Sequence, residues 1–141
     1  MTSTDHKRIG TLYFVQGLFF LGVGGIMAMF IRIQLSVPGN DFLTQEQYNQ
    51  FFTLHGTTMI FLAAMPMING FANWIVPLQI GAPDLALPRI NAMSFWLQPF
   101  SAILIFTGIF SGGGADTGWT GYAPYVAVSY THLTLPTICS V

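Results

Sequence analysis

Long apolar stretches alternate with short polar segments along this chain. The apolar stretches cover residues 11–31, 50–77 and 92–111. At about 1.5 Å per residue, each would be at least roughly 30 Å long as a helix, which is enough to cross the hydrocarbon core of a bilayer. The pattern therefore predicts an all-α integral membrane protein with three transmembrane helices.

The second apolar stretch is longer than a bilayer requires, and helix breakers fall inside it or at its end. Pro66, Gly70 and Pro77 are tolerated in a membrane helix when neighbouring helices satisfy the freed backbone groups. The preceding TQEQYNQ, residues 44–50, is typical of a capped helix start. We expect one helix here that tilts or protrudes from the membrane.

Composition supports the membrane prediction and excludes other classes of protein. Only 6% of the 141 residues are charged, whereas a soluble domain carries about 25%. The net charge of −1 provides no basic patch for nucleic acid. The single cysteine, Cys139, rules out an internal disulfide. The first apolar run is too long for the core of a cleavable signal peptide, and we expect none.

The basic residues predict the orientation in the membrane. Three crossings place the N-terminus and the loop after the second helix on the same side, which carries Lys7, Arg8 and Arg89. The opposite side carries only Arg32. Because basic residues concentrate in cytoplasmic loops, the N-terminus is expected in the cytoplasm.

A histidine lies inside the uncharged run FFTLHGTTMIF, residues 51–61. An ionisable group in the hydrocarbon is costly, so His55 should face a bundle interior and have a partner. It could be a neutral structural histidine, a haem or metal ligand, or a proton-transfer group. Gly56 beside it would let a flat macrocycle approach the backbone.

Three other residues map to the same side of the membrane as His55, in the loops or at a helix end. Arg32 could be a snorkelling anchor or could hydrogen-bond a cofactor. Trp119 and Tyr122 could be interfacial aromatics, or their polar hydrogens could hold carboxylates of the propionate type. The shared location favours a cofactor site.

Asp84 lies on the other side, between Asn73 and Asn91. It could be a solvated loop carboxylate, or it could collect protons that waters ordered by the two amides relay inward. About 29 residues separate it from His55, or roughly 43 Å if all are helical. The two residues therefore belong to different sites.

Five segments resemble one known family. DHKRIGTLYF, the arginine at position 32, QYNQFFTLHGTTMIFL, PLQIGAPDLALPRINAMSFWL and GADTGWTGYAPY are similar to the N-terminal part of subunit I of the haem–copper terminal oxidases. Within that family the chain is most similar to the bacterial cytochrome c oxidase group. The likeness covers residues 5 to about 126 and includes polar loops that unrelated membrane helices would not share.

The resemblance implies a fold and a cofactor. The full subunit would be a bundle of twelve transmembrane helices, of which this chain holds the first three. His55 would be one of two axial ligands of a low-spin haem, most simply of the haem a type, and Arg32 would hydrogen-bond its formyl group. Trp119 would lie near the propionates. Asp84 would mark the entrance of the family's D proton pathway, with Asn73 and Asn91 as water-ordering residues.

The resemblance also implies what the chain lacks. The second axial histidine, the second haem and the ligands of copper B would lie in later helices, so this chain alone is expected to be inactive. The complete enzyme would reduce oxygen with electrons from cytochrome c, pump protons, and assemble with subunits II and III. Alternatives are a quinol oxidase subunit, or a non-catalytic anchor or proton-transporter fragment.

Some positions depart from the family pattern. Gln34 replaces a glutamate that helps bind a peripheral cation in mitochondrial members, so we do not expect that cation site. Gln47 stands where quinol oxidases have a histidine, which favours cytochrome c as the donor. The resemblance does not continue into residues 127–141, which read AVSYTHLTLPTICSV. We interpret them as an artefactual tail and assign no role to His132 or Cys139.

Overall fold

The computed structural model describes residues 4–110 and 117–120, and all regular structure in that part is helical. A π-helical segment joins the second and third α-helices into one span of 36 residues. Three helical spans in the described part are long and apolar enough to cross a membrane, which confirms the all-α, three-span prediction. The elements are α1 (His6–Gln34), α2 (Gln45–Thr57), the π segment (Thr58–Ala64), α3 (Met65–Ile80) and α4 (Pro88–Phe110).

The helices extend beyond the predicted membrane spans at most ends. The predicted spans were 11–31, 50–77 and 92–111. The first two helical spans begin earlier and end later than predicted, and the third begins earlier, each time in polar sequence. An apolar window stops at the first polar cluster, whereas a helix continues to its caps. As one consequence, Asn91 lies in the first turn of α4 and not in a loop.

Polar side chains cap the helices at these outer ends. The Asp5 carboxylate accepts the Lys7 backbone N–H at 3.0 Å and so caps α1. Thr44 and Gln47 form a capping box at the start of α2, because each side chain accepts the backbone N–H of the other. This confirms the predicted capped start and gives Gln47 a structural role.

A π-helical segment interrupts the long second span, which was expected to be one helix. Backbone hydrogen bonding widens to the π pattern over Thr58–Ala64, which ends two residues before Pro66. A proline has no N–H and its ring clashes with the carbonyl four residues earlier, here that of Leu62. The wider turn relieves this conflict, and Pro66 then lies in the first turn of α3, where a missing N–H is tolerated.

Helix α1 packs against α2, the π segment and α3, and more lightly against α4. Glycines allow the closest approach to α3. A Cβ on Gly10 would lie 3.0 Å from the Gly70 carbonyl oxygen and 2.6 Å from a Trp74 ring atom. A Cβ on Gly70 would reciprocally lie 3.0 Å from the Gly10 carbonyl oxygen. The two backbones therefore touch at this crossing, as is common for small residues in membrane helices.

Replacing Gly10 with alanine should destabilise the fold by about 1–3 kcal/mol, because a backbone carbonyl cannot move away from the new methyl group. Gly22→Ala is the matched control, since nothing lies within 4 Å of its Cβ position, and alanine is the better helix former by up to about 1 kcal/mol. Denaturant unfolding in detergent micelles would compare the two. Equal stability of the two variants would contradict the close crossing.

The contact between α1 and α4 is partly polar. Tyr13 packs its ring edge-on against Phe95, with centroids 5.1 Å apart, and its hydroxyl lies 3.0 Å from that of Ser94. One turn further into the membrane, the Gln16 amide donates to the Gln98 side-chain oxygen at 3.3 Å. Most large apolar residues outside these contacts are exposed, as expected for surfaces that face lipid or further helices.

Candidate functional site

The structure separates the predicted site residues into two groups at opposite ends of the long second span. His55 lies near the end of α2, and Asp84 follows α3 in the loop 81–87. At about 1.5 Å per residue, the intervening helix is roughly 40 Å long. The two groups cannot share a ligand.

His55 is held by the backbone of α1. Its Nδ1 lies 2.9 Å from the Gly24 carbonyl oxygen. Since a carbonyl oxygen only accepts hydrogen bonds, Nδ1 carries the proton and Nε2 of the neutral ring has a free lone pair. A histidine whose one nitrogen is fixed in this way is prepared for ligation through the other.

A cleft of about 640 Å³ lies beside this imidazole, between α1 and α2. Arg32 lies at the end of α1 that borders the cleft, and its guanidinium has neither an ion pair nor a hydrogen bond among the described residues. The remaining walls combine apolar side chains with one serine. The lining residues are Ala28, Ile31, Arg32, Leu35, Ser36, Phe52 and His55. The cleft thus presents an imidazole and a cation in a largely apolar setting.

Trp119 lies at the same end and packs against α2. The Gly118 N–H donates to the Thr53 hydroxyl at 2.9 Å. A Cβ on Gly56 would lie 3.0 Å from the Trp119 ring. The space beside Gly56 therefore accommodates this indole, and the expectation that Gly56 faces a macrocycle is wrong. Tyr122 lies outside the described residues, so its predicted role stays a prediction.

A second cavity, of about 500 Å³, opens at the Asp84 end between α1, α3 and α4. Asn73 and Asn91 both line it, and so does Asn69, one helical turn before Asn73. The Asn91 side-chain nitrogen is buried and has no hydrogen-bond partner among the described residues. A buried amide donor without a protein partner is a position where an ordered water is expected.

Asp84 directly precedes Leu85, which lines this cavity, and we refer to this part of the loop 81–87 as the cavity rim. Its Oδ1 accepts the Leu85 N–H at 2.8 Å and a hydrogen bond from His6 Nδ1 at 3.1 Å. The pKa of Asp84 is lowered, chiefly by the Leu85 N–H and less by His6, while desolvation acts in the opposite direction. The group is therefore a carboxylate at neutral pH. Its stabilising contacts are present above the unfolded-state pKa and are lost as the pH falls through the folded-state pKa.

Sequence reasoning missed several residues of these two sites. The helical spacing of Asn69 with Asn73, and of Asn91 with Ser94, could have indicated a shared polar face. No local sequence pattern could have indicated His6, because it meets a residue 78 positions later in the chain, Asp84. Nor could a pattern have indicated the Gly24 carbonyl, because it is a backbone group. Gln34, the last residue of α1, ties down the loop that follows: its amide nitrogen donates to the Asn40 carbonyl and its amide oxygen accepts the Leu43 N–H.

These features define a class of protein. It is a helical membrane bundle with an imidazole-lined cleft near one end and a carboxylate beside an amide-lined cavity at the other. The chain belongs to the family of subunit I of the cytochrome c and quinol oxidases. The family model described as "Cytochrome C and Quinol oxidase polypeptide I" matches residues 8–141, which bears out the resemblance found in the sequence.

Curated bacterial relatives agree with this assignment. The chain is 55% identical over 123 residues to cytochrome c oxidase subunit 1 of Bacillus subtilis, covering 87% of this chain and 20% of that protein. It is 50% identical over 125 residues to the subunit of the same name from Corynebacterium glutamicum, covering 88% and 21%. For Bacillus sp. PS3 the identity is 51% over 132 residues, covering 94% and 21%.

The chain spans about a fifth of the length of these relatives. Its membrane-crossing helices and bacterial relatives support a place in a bacterial membrane. The interpretation of residues 127–141 stays a prediction, since they lie outside the described residues.

Proposed function

We propose that this chain is the N-terminal segment of the catalytic subunit of a bacterial cytochrome c oxidase, and that His55 is one axial ligand of its low-spin haem. The observation that carries the proposal is the bond from His55 Nδ1 to the Gly24 carbonyl, which leaves Nε2 free beside the cleft. A neutral imidazole with a fixed tautomer suits haem iron. The remaining nine helices and the second ligand would come from the rest of the subunit.

The residues around the cleft fit a haem. Apolar walls from Ile31, Leu35 and Phe52 suit the macrocycle, and the unpaired Arg32 guanidinium suits a polar ring substituent such as the formyl group of haem a. Trp119, and in our proposal Tyr122, would hold the propionates. When bound, the haem would relay single electrons toward the oxygen-reducing centre. The chain's part is to orient the imidazole and to keep water from the iron.

The other end of the chain would admit protons. Asp84 would take up protons at the cavity rim, and Asn73 and Asn91 would order the waters that carry them inward. This assignment puts the N-terminus of α1 and the loop 81–87 in the cytoplasm. The His6–Asp84 hydrogen bond supports the placement of these two segments at the same end of the bundle.

The complete enzyme would take electrons from cytochrome c, reduce oxygen to water and pump protons. A second haem and copper B would be bound by later helices, and subunits II and III would complete the complex. Cytochrome c is the preferred donor because the relatives are named for it. Quinol is the alternative donor. Because Gln47 caps α2, its identity does not decide between the two donors.

Haem content tests the proposal. The complete membrane protein that carries this segment should contain a six-coordinate low-spin haem by absorption and electron paramagnetic resonance. The 141-residue chain alone should form no such haem, because its partner ligand is missing. A complete protein without iron would overturn the proposal in favour of a membrane anchor or a proton transporter.

A further inference from the structure

Among the charged residues and histidines of the described part, His6 is the buried one, and the proposed function has no use for it. It begins α1, yet only 5% of it is exposed. Polar residues at a helix start normally face water, so this burial requires an explanation. The imidazole lies under the loop 81–87, where its Nδ1 meets Asp84 Oδ1 at 3.1 Å.

The hydrogen bond fixes the position of one proton on His6. An ionised carboxylate only accepts, so His6 Nδ1 must donate the hydrogen bond to Asp84. The other nitrogen, Nε2, is buried and has no partner among the described residues. The contact with Asp84 is therefore the one polar interaction of this imidazole with a described side chain at hydrogen-bond distance.

The same bond makes the two oxygens of Asp84 unequal. Both hydrogen bonds that the described residues make to this carboxylate, from His6 and from the Leu85 N–H, fall on Oδ1. The carboxylate is therefore held from two directions at one oxygen. Oδ2 receives no hydrogen bond from the described residues and is the oxygen left to exchange protons with water.

Few other charges bear on the imidazole. Among the described residues, the ionisable groups within ion-pair distance of His6 are Asp84 and Asp5, whose Oδ1 is 3.8 Å from Nδ1. Asp5 is 56% exposed and already caps α1 through the Lys7 N–H. The nearby cations Lys7, Arg8 and Arg89 are exposed and make no ion pair with a described residue. Asp84 is thus the dominant partner of His6.

We propose that His6 is a positioning residue for proton entry, which holds Asp84 through Oδ1 and leaves Oδ2 available for proton exchange with water. The proposal rests on the proposed role of Asp84. The tie also fixes the loop 81–87 to the start of α1, so the rim and the cavity wall formed by Tyr13 keep their relative positions. An unheld carboxylate would spend less time in the orientation that transfers protons inward.

Proton uptake by the complete oxidase in vesicles tests this role. His6→Leu should slow uptake about threefold or more, because the carboxylate loses the donor that holds Oδ1. His6→Asn should restore the rate, since its amide nitrogen can donate a hydrogen bond from nearly the position of Nδ1. An uptake rate of His6→Leu equal to that of the wild type would overturn the proposal.

Asp84→Asn separates this inference from the proposed function. If Asp84→Asn leaves uptake unchanged, the entry role of Asp84 fails, and the role of His6 fails with it. If Asp84→Asn blocks uptake while His6→Leu does not slow it, only the His6 proposal fails.

A second measurement needs no substitution at His6 and so remains informative if His6→Leu does not assemble. Infrared spectra of wild-type and Asp84→Asn oxidase, each labelled with ¹⁵N-histidine, should differ in an isotope-sensitive imidazole band, because the acceptor of Nδ1–H has changed. The absence of such a histidine band from the difference spectrum would contradict the contact on which the proposal depends.

Discussion

Replacing His55 with leucine in the complete oxidase is expected to remove the low-spin haem and to lower oxygen consumption by more than about a hundredfold. Removing partners that only orient a metal ligand already costs about 10–100-fold, so loss of the ligand itself should cost more. Leucine is close in volume to histidine and suits the apolar cleft, so the helix should still insert. The absorption band of the low-spin haem and the oxygen-uptake rate would be measured together.

Phe52→Leu is the matched control for His55→Leu. Phe52 lines the same cleft but offers no ligand atom, so its replacement should keep the haem with at most a small change in the absorption maximum. A His55→Leu protein that retains a six-coordinate haem and its activity would show that another residue ligates the iron. In that case His55 would be a structural histidine held by the Gly24 carbonyl.

Replacing Asp84 with asparagine should reduce proton uptake and turnover by about tenfold or more, because an amide cannot take up and release a proton. A positioned acid–base group typically contributes about 10²–10⁴-fold to a rate. Asparagine keeps the shape of the side chain, and its oxygen can still accept the Leu85 and His6 hydrogen bonds. The haem spectrum should be unchanged because the haem cleft lies at the far end of the span. Proton uptake and oxygen consumption would be recorded on the same vesicles.

Asp41→Asn serves as the control for the charge change. Asp41 is exposed in the loop between α1 and α2, at the opposite end of the bundle from Asp84. Its replacement removes one negative charge without touching the polar cavity, so both rates should stay at the wild-type level. Similar losses in the two variants would point to an effect of net charge and against a specific entry site at Asp84.

Residue type and order predicted the architecture of this protein well. An uncharged run must satisfy its own backbone in lipid, and a helix is the simplest way to do so. The three spans therefore followed from hydropathy alone. The separation of His55 from Asp84 followed from counting residues along one helix.

Helix ends and the interruption of the second span were not predictable in the same way. Caps such as Asp5 and Thr44 lie in polar sequence, where hydropathy gives no signal. The helix-breaking residues of the second span were expected to be tolerated within one helix, whereas the structure has a π segment before Pro66. The ring of a proline clashes with the carbonyl four residues earlier, so the helix is distorted in the turn before the proline.

The sequence by itself determined that this is a three-span membrane protein of the oxidase subunit I family, with a histidine and an aspartate at opposite ends. Only the tertiary structure decided how those residues are held. The Gly24 carbonyl fixes the proton on Nδ1 of His55, the Trp119 ring fills the space beside Gly56, and His6 hydrogen-bonds to Asp84. The physical reason is that each of these contacts joins residues far apart in the chain, and one depends on a backbone atom common to every residue.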